Sequence, residues 1–469
     1  MRLEGNLDRC EPGLVSGWAR DADRPDAALA LEVFIGAARV GGGVADLPRE
    51  DLRAAGKGDC GFVFVPDRPL TPADRDRLNV RAPGCGLLLI DGFGGPQPDP
   101  YAEPEIPAGA KRFRRAILHI GTEKTGTTSL QRFLAVNRER LMAAGLFVPA
   151  SVAPDPGLLN HSDLAAAALA DWRLDDTLLA GRGVEGAGGL AAFREGVAAR
   201  LDAEMAHAPR RCETLFISSE HCHSRLLLLH EVAAIRRLLA VHAERVEVWV
   251  YLRPQHDLAA SQYGMHLLGG VADADMLPKL PYPEGYRRAR ITSAVYFDYA
   301  LLLSRWAAMF GRECVHPRLF LPGQLRNGDV VDDVLHRLGI ASDGLVSVRR
   351  EAGNVSPRAQ RFMIGFLRAM ASRAPAEREW AAGWVAERLR ISEPGAGMSP
   401  SRGAVAAFMA PFAAGNERVR TEWFPQRATL FDIDPARFPE LVPAEELSGE
   451  AVTDILTGLL RAERRMSEG

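Results

Sequence analysis

An apolar run, Arg115–Ile120 (RAILHI), enters a Gly/Thr-rich turn and leaves it as an amphipathic helix that we expect from Thr127 to about Ala144, with Leu130, Phe133 and Leu134 on one face. A buried strand feeding straight into a helix opens a crossover unit, and crossover units build parallel sheets. The pattern then repeats. Thr214–Ser218 (TLFIS) and Val246–Leu252 (VEVWVYL) read as strands, the second running into a helix from about Gln255 to Leu267, and a further strand is expected near Arg318–Leu321. Continuous apolar strands alternating with helices imply an α/β fold: a parallel sheet sandwiched by helices. Beyond about residue 355 the chain reads as mostly helical, most clearly over Val355–Met370 and Ala376–Leu389. Residues 179–194 (LAGRGVEGAGGLAAFR) are glycine-rich and read as a flexible loop.

The stretch before this unit has another character. Short β-type runs, Leu31–Ile35, Gly61–Val65 and Leu87–Ile90, alternate with turn signals and suggest a small all-β sandwich. A Pro/Gly-rich segment with no hydrophobic period comes after them. We therefore expect a β domain over residues 1–95, a linker over 96–111, and an α/β domain with a helical C-terminal extension over 112–469. A chain of 469 residues is long enough for two or three such units.

Composition removes several function classes. A formal charge of −3 lacks the basic excess that general nucleic-acid binding needs. No apolar run approaches the roughly 18 residues of a membrane span, and the N-terminus has no apolar signal core. The six cysteines include no C-x-x-C pair, which points to reduced thiols, no metal site and a cytoplasmic location.

The turn itself reads Gly121-Thr122-Glu123-Lys124-Thr125-Gly126-Thr127-Thr128. At a strand-to-helix junction the unpaired N–H groups of the first helical turn, together with the helix dipole, favour an anion. Gly126 permits close approach or positive φ. Thr127 and Thr128 add hydroxyl donors, and Lys124 adds a mobile cation. Only four of the 57 basic residues are lysines, so a lysine here stands out. Gly121 and Gly126 have the spacing of the nucleotide-triphosphate loop G-x-x-x-x-G-K-[ST], but Thr127 stands where that loop has its lysine. A kinase-type cradle is disfavoured accordingly.

Lys124-Thr125-Gly126-Thr127-Thr128 resembles the K-[ST]-G-T-[ST] loop of the sulfotransferases that use 3′-phosphoadenosine 5′-phosphosulfate (PAPS). The resemblance covers roughly residues 113–340 and implies that the α/β sheet is P-loop-like. It implies that Lys124, Thr125, Gly126, Thr127 and Thr128 hold the 5′-phosphosulfate, with adenosine 3′,5′-bisphosphate (PAP) as product. The family's second signature is a strand ending in Arg with a Ser eight residues on, matched by Arg253 and Ser261. These two would grip the 3′-phosphate, and a guanidinium fork with a serine two helical turns along suits that task. The family's base lies near the end of a preceding strand. Here that place reads Ser218-Ser219-Glu220-His221-Cys222-His223, and we expect Glu220 first and His221 second as the catalytic base, with His161 next. Ser218 or Ser219 is an alternative donor ligand, and Asn160-His161-Ser162 an alternative acceptor loop. His119, within the strand, reads as a packed histidine.

The R-K-G-x-x-G segment of the animal cytosolic enzymes is missing. Arg349-Arg350 with Asn354-Val355-Ser356 is the candidate replacement, and Asn416–Arg420 a candidate lid. Gly17-Trp18-Ala19-Arg20-Asp21 and Gly61–Phe64 are similar to a small β domain found beside bacterial glycan-modifying transferases, which suggests either carbohydrate docking or a structural appendage. The expected reaction is sulfuryl transfer from PAPS to a hydroxyl of a saccharide or cell-envelope glycan. The alternatives are a P-loop phosphotransferase and a non-catalytic glycan-binding protein.

Overall fold

A computed structural model of the chain describes residues 3–11, 14–25, 27–36, 38–64, 66, 70–71, 74, 77–81, 88–91, 111–170, 173–174, 176–271, 276–278, 296–321, 323–348, 354–441 and 447–468. The expected linker, apart from Lys111, and the pair Arg349-Arg350 lie outside these residues.

Near the N-terminus two antiparallel sheets face each other. One has the order β1 (Leu3–Glu11), β2 (Leu14–Asp21), β5 (Gly61–Phe64). The other has the order β4 (Ala38–Ala45), β3 (Leu29–Ile35), β6 (Leu78–Arg81), β7 (Leu88–Asp91). Alternation does the work: Leu29, Leu31, Val33 and Ile35 point inward from β3 and share a core with Leu7, Val15 and Phe62 of the first sheet. Gly17 is required by close packing, because a Cβ there would lie 2.2 Å from the carbonyl oxygen of Asn6. The adjacent Trp18 is half-buried, with the Lys57 ammonium 3.5 Å from its ring centre.

The second unit is a five-stranded parallel sheet, ordered β12 (Val315–Leu319), β11 (Ala243–Leu252), β8 (Phe113–His119), β10 (Thr214–Ser218), β9 (Leu146–Phe147). Both faces are covered. Ala116, Leu118, Leu215, Ile217, Val248 and Val250 project into one core with helices Leu229–Ala240 and Tyr299–Phe310. Ile117, Phe216, Trp249 and Tyr251 project into the other, with helices Thr127–Val136 and Val330–Leu338. The continuous apolar runs of the sequence are therefore two-sided burial, as expected for parallel strands.

Several local expectations need correction. The helix after the Gly/Thr turn ends at Val136 and restarts over Arg138–Ala143, because the Asn137 amide bonds the carbonyls of Phe133 (3.0 Å) and Val346 (2.9 Å) at the break. Much of residues 179–194 is not a loop: a helix spans Gly186–Ala206. Its glycines at 186, 188 and 189 sit in the first turn, and Leu190, Val197, Leu201 and Met205 form the buried stripe that holds it. The last strand begins earlier than expected, at Val315. The helices Pro357–Ala369 and Pro375–Ser392 are close to their expected bounds, the first capped by the Ser356 hydroxyl accepting from Ala359 N–H.

A buried ionic knot lies beside the sheet. Arg173 pairs with Glu231 (2.9 Å) and Asp176 (3.1 Å), all with side chains no more than 3 % exposed, and its Nη1 also donates to the carbonyl of Arg225 (2.5 Å). Glu231 accepts in addition from the backbone N–H of Ala170, Leu227 and Leu228. The knot fixes the end of the short helix His221–Arg225, which leaves the carboxyl end of β10. Among the described residues no helix is long and apolar enough to cross a membrane.

Candidate functional site

The carboxyl ends of β8, β10, β11 and β12 lie side by side. Ile120 and Thr122 N–H bond the carbonyls of Trp249 and Tyr251, Ser219 N–H bonds that of His119, and Phe320 N–H that of Leu252. Ligands of open α/β sheets bind at this edge, and here it holds a cavity of about 480 Å³. The Gly/Thr turn supplies Glu123, Lys124, Gly126, Thr127 and Thr128 to its wall. The segment after β10 supplies Glu220, His221, Ser224 and Arg225, and the helix Gln255–Leu268 supplies Ser261, Gln262, Met265 and His266. Tyr296 closes it.

The turn is shaped by its own bonds. Thr125 is fully buried and its hydroxyl donates to the Thr122 carbonyl (2.6 Å), while the Thr122 hydroxyl donates to the Tyr251 carbonyl (3.1 Å). The Thr125 side chain therefore braces the turn and does not reach the cavity, so only its backbone is left to meet a ligand. Gly126 opens the helix at φ +80° with no side-chain cap, and a Cβ there would strike Val330 Cγ1 at 2.8 Å. Both conformation and space demand glycine, and the first turn of N–H groups faces the cavity unblocked by a capping side chain.

Among the described residues, Lys124 Nζ has Met265 Sδ at 3.7 Å as its hydrogen-bonding side-chain neighbour. Burial pulls its ammonium below the usual lysine range; Glu123 and Glu220 act in the other direction, and Arg253 and Arg390 reinforce the lowering. Arg253 lies behind the turn, with Nη1 donating to the Lys124 carbonyl (2.8 Å) and its guanidinium 5.9 Å from the Phe320 ring. Tyr299 Oη in turn donates to the Arg253 carbonyl (2.5 Å). The two separated motifs of the sequence thus meet: Ser261 shares the cavity with Lys124, and Arg253 holds the backbone of that lysine.

Glu220 and His221 also line the cavity. Glu220 accepts from the amides of Gln131 (2.6 Å) and Asn160 (3.1 Å), which orient the carboxylate without neutralising it. The His221 ring has a buried Nδ1 with no partner among the described residues, and burial keeps its titration below the ordinary 6.5, opposed by Glu220 and Glu123. At neutral pH the imidazole is therefore uncharged and able to accept a proton.

Other candidates are spoken for. His161 is fully buried: its Nδ1 accepts from Ser218 N–H (3.0 Å) in the tautomer whose Nε2–H donates to the Pro149 carbonyl (2.8 Å). It fastens the 160–162 loop to β10 and is not a free base. His119 is packed, as expected; its Nδ1 is 2.9 Å from Ser218 Oγ, and burial takes its titration down to about 3. Ser218 and Ser219 are buried away from the cavity wall. Asn354 bonds Gln360 (2.7 Å) and Ser356 caps its helix, so both are structural. Asn416 is locked to Gln255 through paired amides (2.7 and 3.3 Å), which removes it as a lid.

Sequence reasoning missed Glu123. Its Oε2 accepts from Gln262 Nε2 (3.0 Å) and Tyr296 Oη (2.7 Å). Burial alone would raise its carboxyl, but His223, Ser224, Tyr296 and His221 outweigh that and hold it below the usual range. An ionised Glu123 thus ties the turn to the helix that carries Ser261. Gln262, Met265 and His266 follow Ser261 at one, four and five residues, and that face of a helix could have been read once Ser261 was suspected.

No family model and no curated protein matches the chain. Among solved structures, a sulfotransferase from Alicyclobacillus acidocaldarius aligns with 58% of this chain and 99% of its own, at 16% identity and a TM-score of 0.31. The sulfotransferase domain from the curacin biosynthetic pathway aligns with 50% of this chain and 75% of its own, at 13% identity and a TM-score of 0.24. Likeness at that level carries no weight beside the geometry.

Proposed function

We propose that this chain transfers a sulfuryl group from PAPS to an acceptor hydroxyl, on a saccharide or cell-envelope glycan, by in-line displacement. The observation that supports this reading is the meeting of the two motifs: Arg253 donates to the Lys124 carbonyl at 2.8 Å while Ser261 and Lys124 line one cavity. A 5′-phosphosulfate and a separate 3′-phosphate need two polar anchors, and Arg253 with Ser261 offers the second beside the Lys124 turn. The residues fit the donor. The uncapped helix start at Gly126–Thr128 suits the 5′-phosphosulfate. Arg253, whose guanidinium makes one hydrogen bond among the described residues, and Ser261 suit the 3′-phosphate.

In this reading the neutral His221 imidazole, on the cavity wall, takes the acceptor proton, and Glu220, held by its two amide donors, stabilises the imidazolium that forms. The sequence pattern favours Glu220 as base; the reassignment rests on its oxygens already serving two donors. Lys124 bears the charge that gathers on the bridging oxygen as the S–O bond breaks.

Labelled sulfuryl transfer from PAPS to a panel of glycans, lipids and phenols tests the proposal. Transfer to at least one hydroxyl acceptor is expected. Binding of ADP with Mg²⁺ but not of adenosine 3′,5′-bisphosphate would favour a phosphotransferase, and glycan binding without any transfer a non-catalytic protein. Two variants sharpen it. Arg253→Ala should weaken adenosine 3′,5′-bisphosphate by about 30-fold or more in titration calorimetry, the scale of a lost partly buried charge contact; equal affinities would remove Arg253 from the site. Glu123→Ala loses two charge-assisted bonds between the turn and the Ser261 helix, and should lower kcat/KM by about 10- to 100-fold. Glu123→Gln keeps an acceptor oxygen and should recover part of that loss, an outcome that a purely electrostatic role for Glu123 would not give.

A further inference from the structure

The outer edge of the sheet carries a second, smaller cavity. β12 is the end strand, and beside it Arg318, Gln324, Arg337 and Arg427 help to enclose about 200 Å³. Pockets for drug-sized ligands run from about 300 to 1,000 Å³, so this one suits a small ion. Three arginines line it and, among the described residues, no carboxylate does. The nearby acid, Asp333, is fully buried and already engaged: it accepts from Arg318 (2.6 Å), Tyr251 Oη (2.8 Å) and the Arg326 N–H (3.0 Å).

That pairing matches the charge of Arg318 and leaves two others. Neither Arg337 nor Arg427 has an ion pair among the described residues. The Arg337 guanidinium lies 3.7 Å from the centre of the Trp249 ring, which fixes its plane, and its Nη1 is buried with no hydrogen-bond partner among the described residues. Arg427 Nε donates to the Thr429 carbonyl (3.1 Å), which orients its fork without touching its charge. A buried donor left without an acceptor is costly, and native proteins rarely tolerate one without a reason. Planar N–H forks meet the oxygens of a tetrahedral oxyanion in pairs.

We propose that this cavity is a second anion site, separate from the Lys124 cavity, that takes a tetrahedral oxyanion, inorganic phosphate or sulfate, between Arg337 and Arg427 with Arg318 as its third side. The site is independent of the reaction assigned to the larger cavity. The same chemistry could arrive as the phosphate of a nucleotide, but the volume favours the free ion.

The test is calorimetric titration of the full chain, purified in chloride, with inorganic phosphate, inorganic sulfate and adenosine 3′,5′-bisphosphate at matched ionic strength. Phosphate binding should survive Lys124→Ala, which disarms the larger cavity, and should weaken at least about tenfold in Arg427→Ala. Arg337→Met should do the same. Because it also gives up the contact with Trp249, thermal unfolding accompanies it, and should it fail to fold, Arg427→Ala decides alone. Bisphosphate binding that depends on Arg427 would make a nucleotide phosphate the source and leave the site standing. Phosphate binding lost in Lys124→Ala but kept in Arg427→Ala would overturn the proposal, as would no binding beyond that of chloride.

Discussion

Lys124→Ala is expected to lower turnover by about 10²- to 10³-fold while leaving the fold intact, the effect of removing one preorganised stabiliser of developing charge. The side chain is half-buried with its Nζ 3.7 Å from Met265 Sδ, but the turn is braced by Thr122 and Thr125. Thermal unfolding should therefore change little. Initial rates at saturating donor and acceptor isolate the effect on kcat, since an interaction made only in the transition state lowers kcat and kcat/KM together. Lys124→Arg should rescue poorly, because a planar fork does not replace a compact ammonium at the mouth of a tight turn. Turnover within a few-fold of wild type in Lys124→Ala would remove the lysine from the chemistry.

The second large effect concerns the base. His221→Ala should cost about 10²- to 10⁴-fold in kcat, the usual range for a lost general base. The pH profile carries the finer test. Burial lowers the imidazole below its ordinary 6.5, so the active neutral form is already present at and above that pH, and activity is lost as pH falls through the lowered value. Glu220 opposes that lowering. Glu220→Gln should therefore move the acid limb to still lower pH and reduce the plateau, because the imidazolium formed during transfer loses its carboxylate. Should Glu220 itself be the base, Glu220→Gln would abolish activity at every pH and His221→Ala would keep an acid limb. Unchanged rates in both variants would place the base elsewhere on the cavity wall, His266 being the remaining histidine there.

The parts legible in the sequence are those whose meaning is local. A strand, a turn and a helix in succession announce the helix start at Gly126, because the free N–H groups belong to the backbone at that junction. Arg253 and Ser261 were legible as a spacing on one strand-helix unit. What escaped depends on distant partners. Glu123 beside a lysine in an anion-binding turn reads as an unfavourable charge until Gln262 and Tyr296, 139 and 173 residues away, are seen to hold it. Thr125 and Thr127 look equivalent in sequence, but the backbone turns one inward and the other toward the cavity. His161 has the residue type of a base, yet both ring nitrogens serve the backbone. The helix Gly186–Ala206 was hidden because its glycines crowd the first turn while its buried stripe lies further on. The arginines at the β12 edge come from a strand, a helix and a late loop, and no spacing in the chain announces their meeting.

A crystal structure of the chain with adenosine 3′,5′-bisphosphate decides whether one nucleotide spans both clusters. The expected density puts the 5′-phosphate on the N–H groups of Gly126–Thr128 within reach of Lys124, and the 3′-phosphate against Arg253 and Ser261. A nucleotide seated elsewhere, or one whose phosphates touch the turn while Arg253 and Ser261 stay without a phosphate, would contradict it.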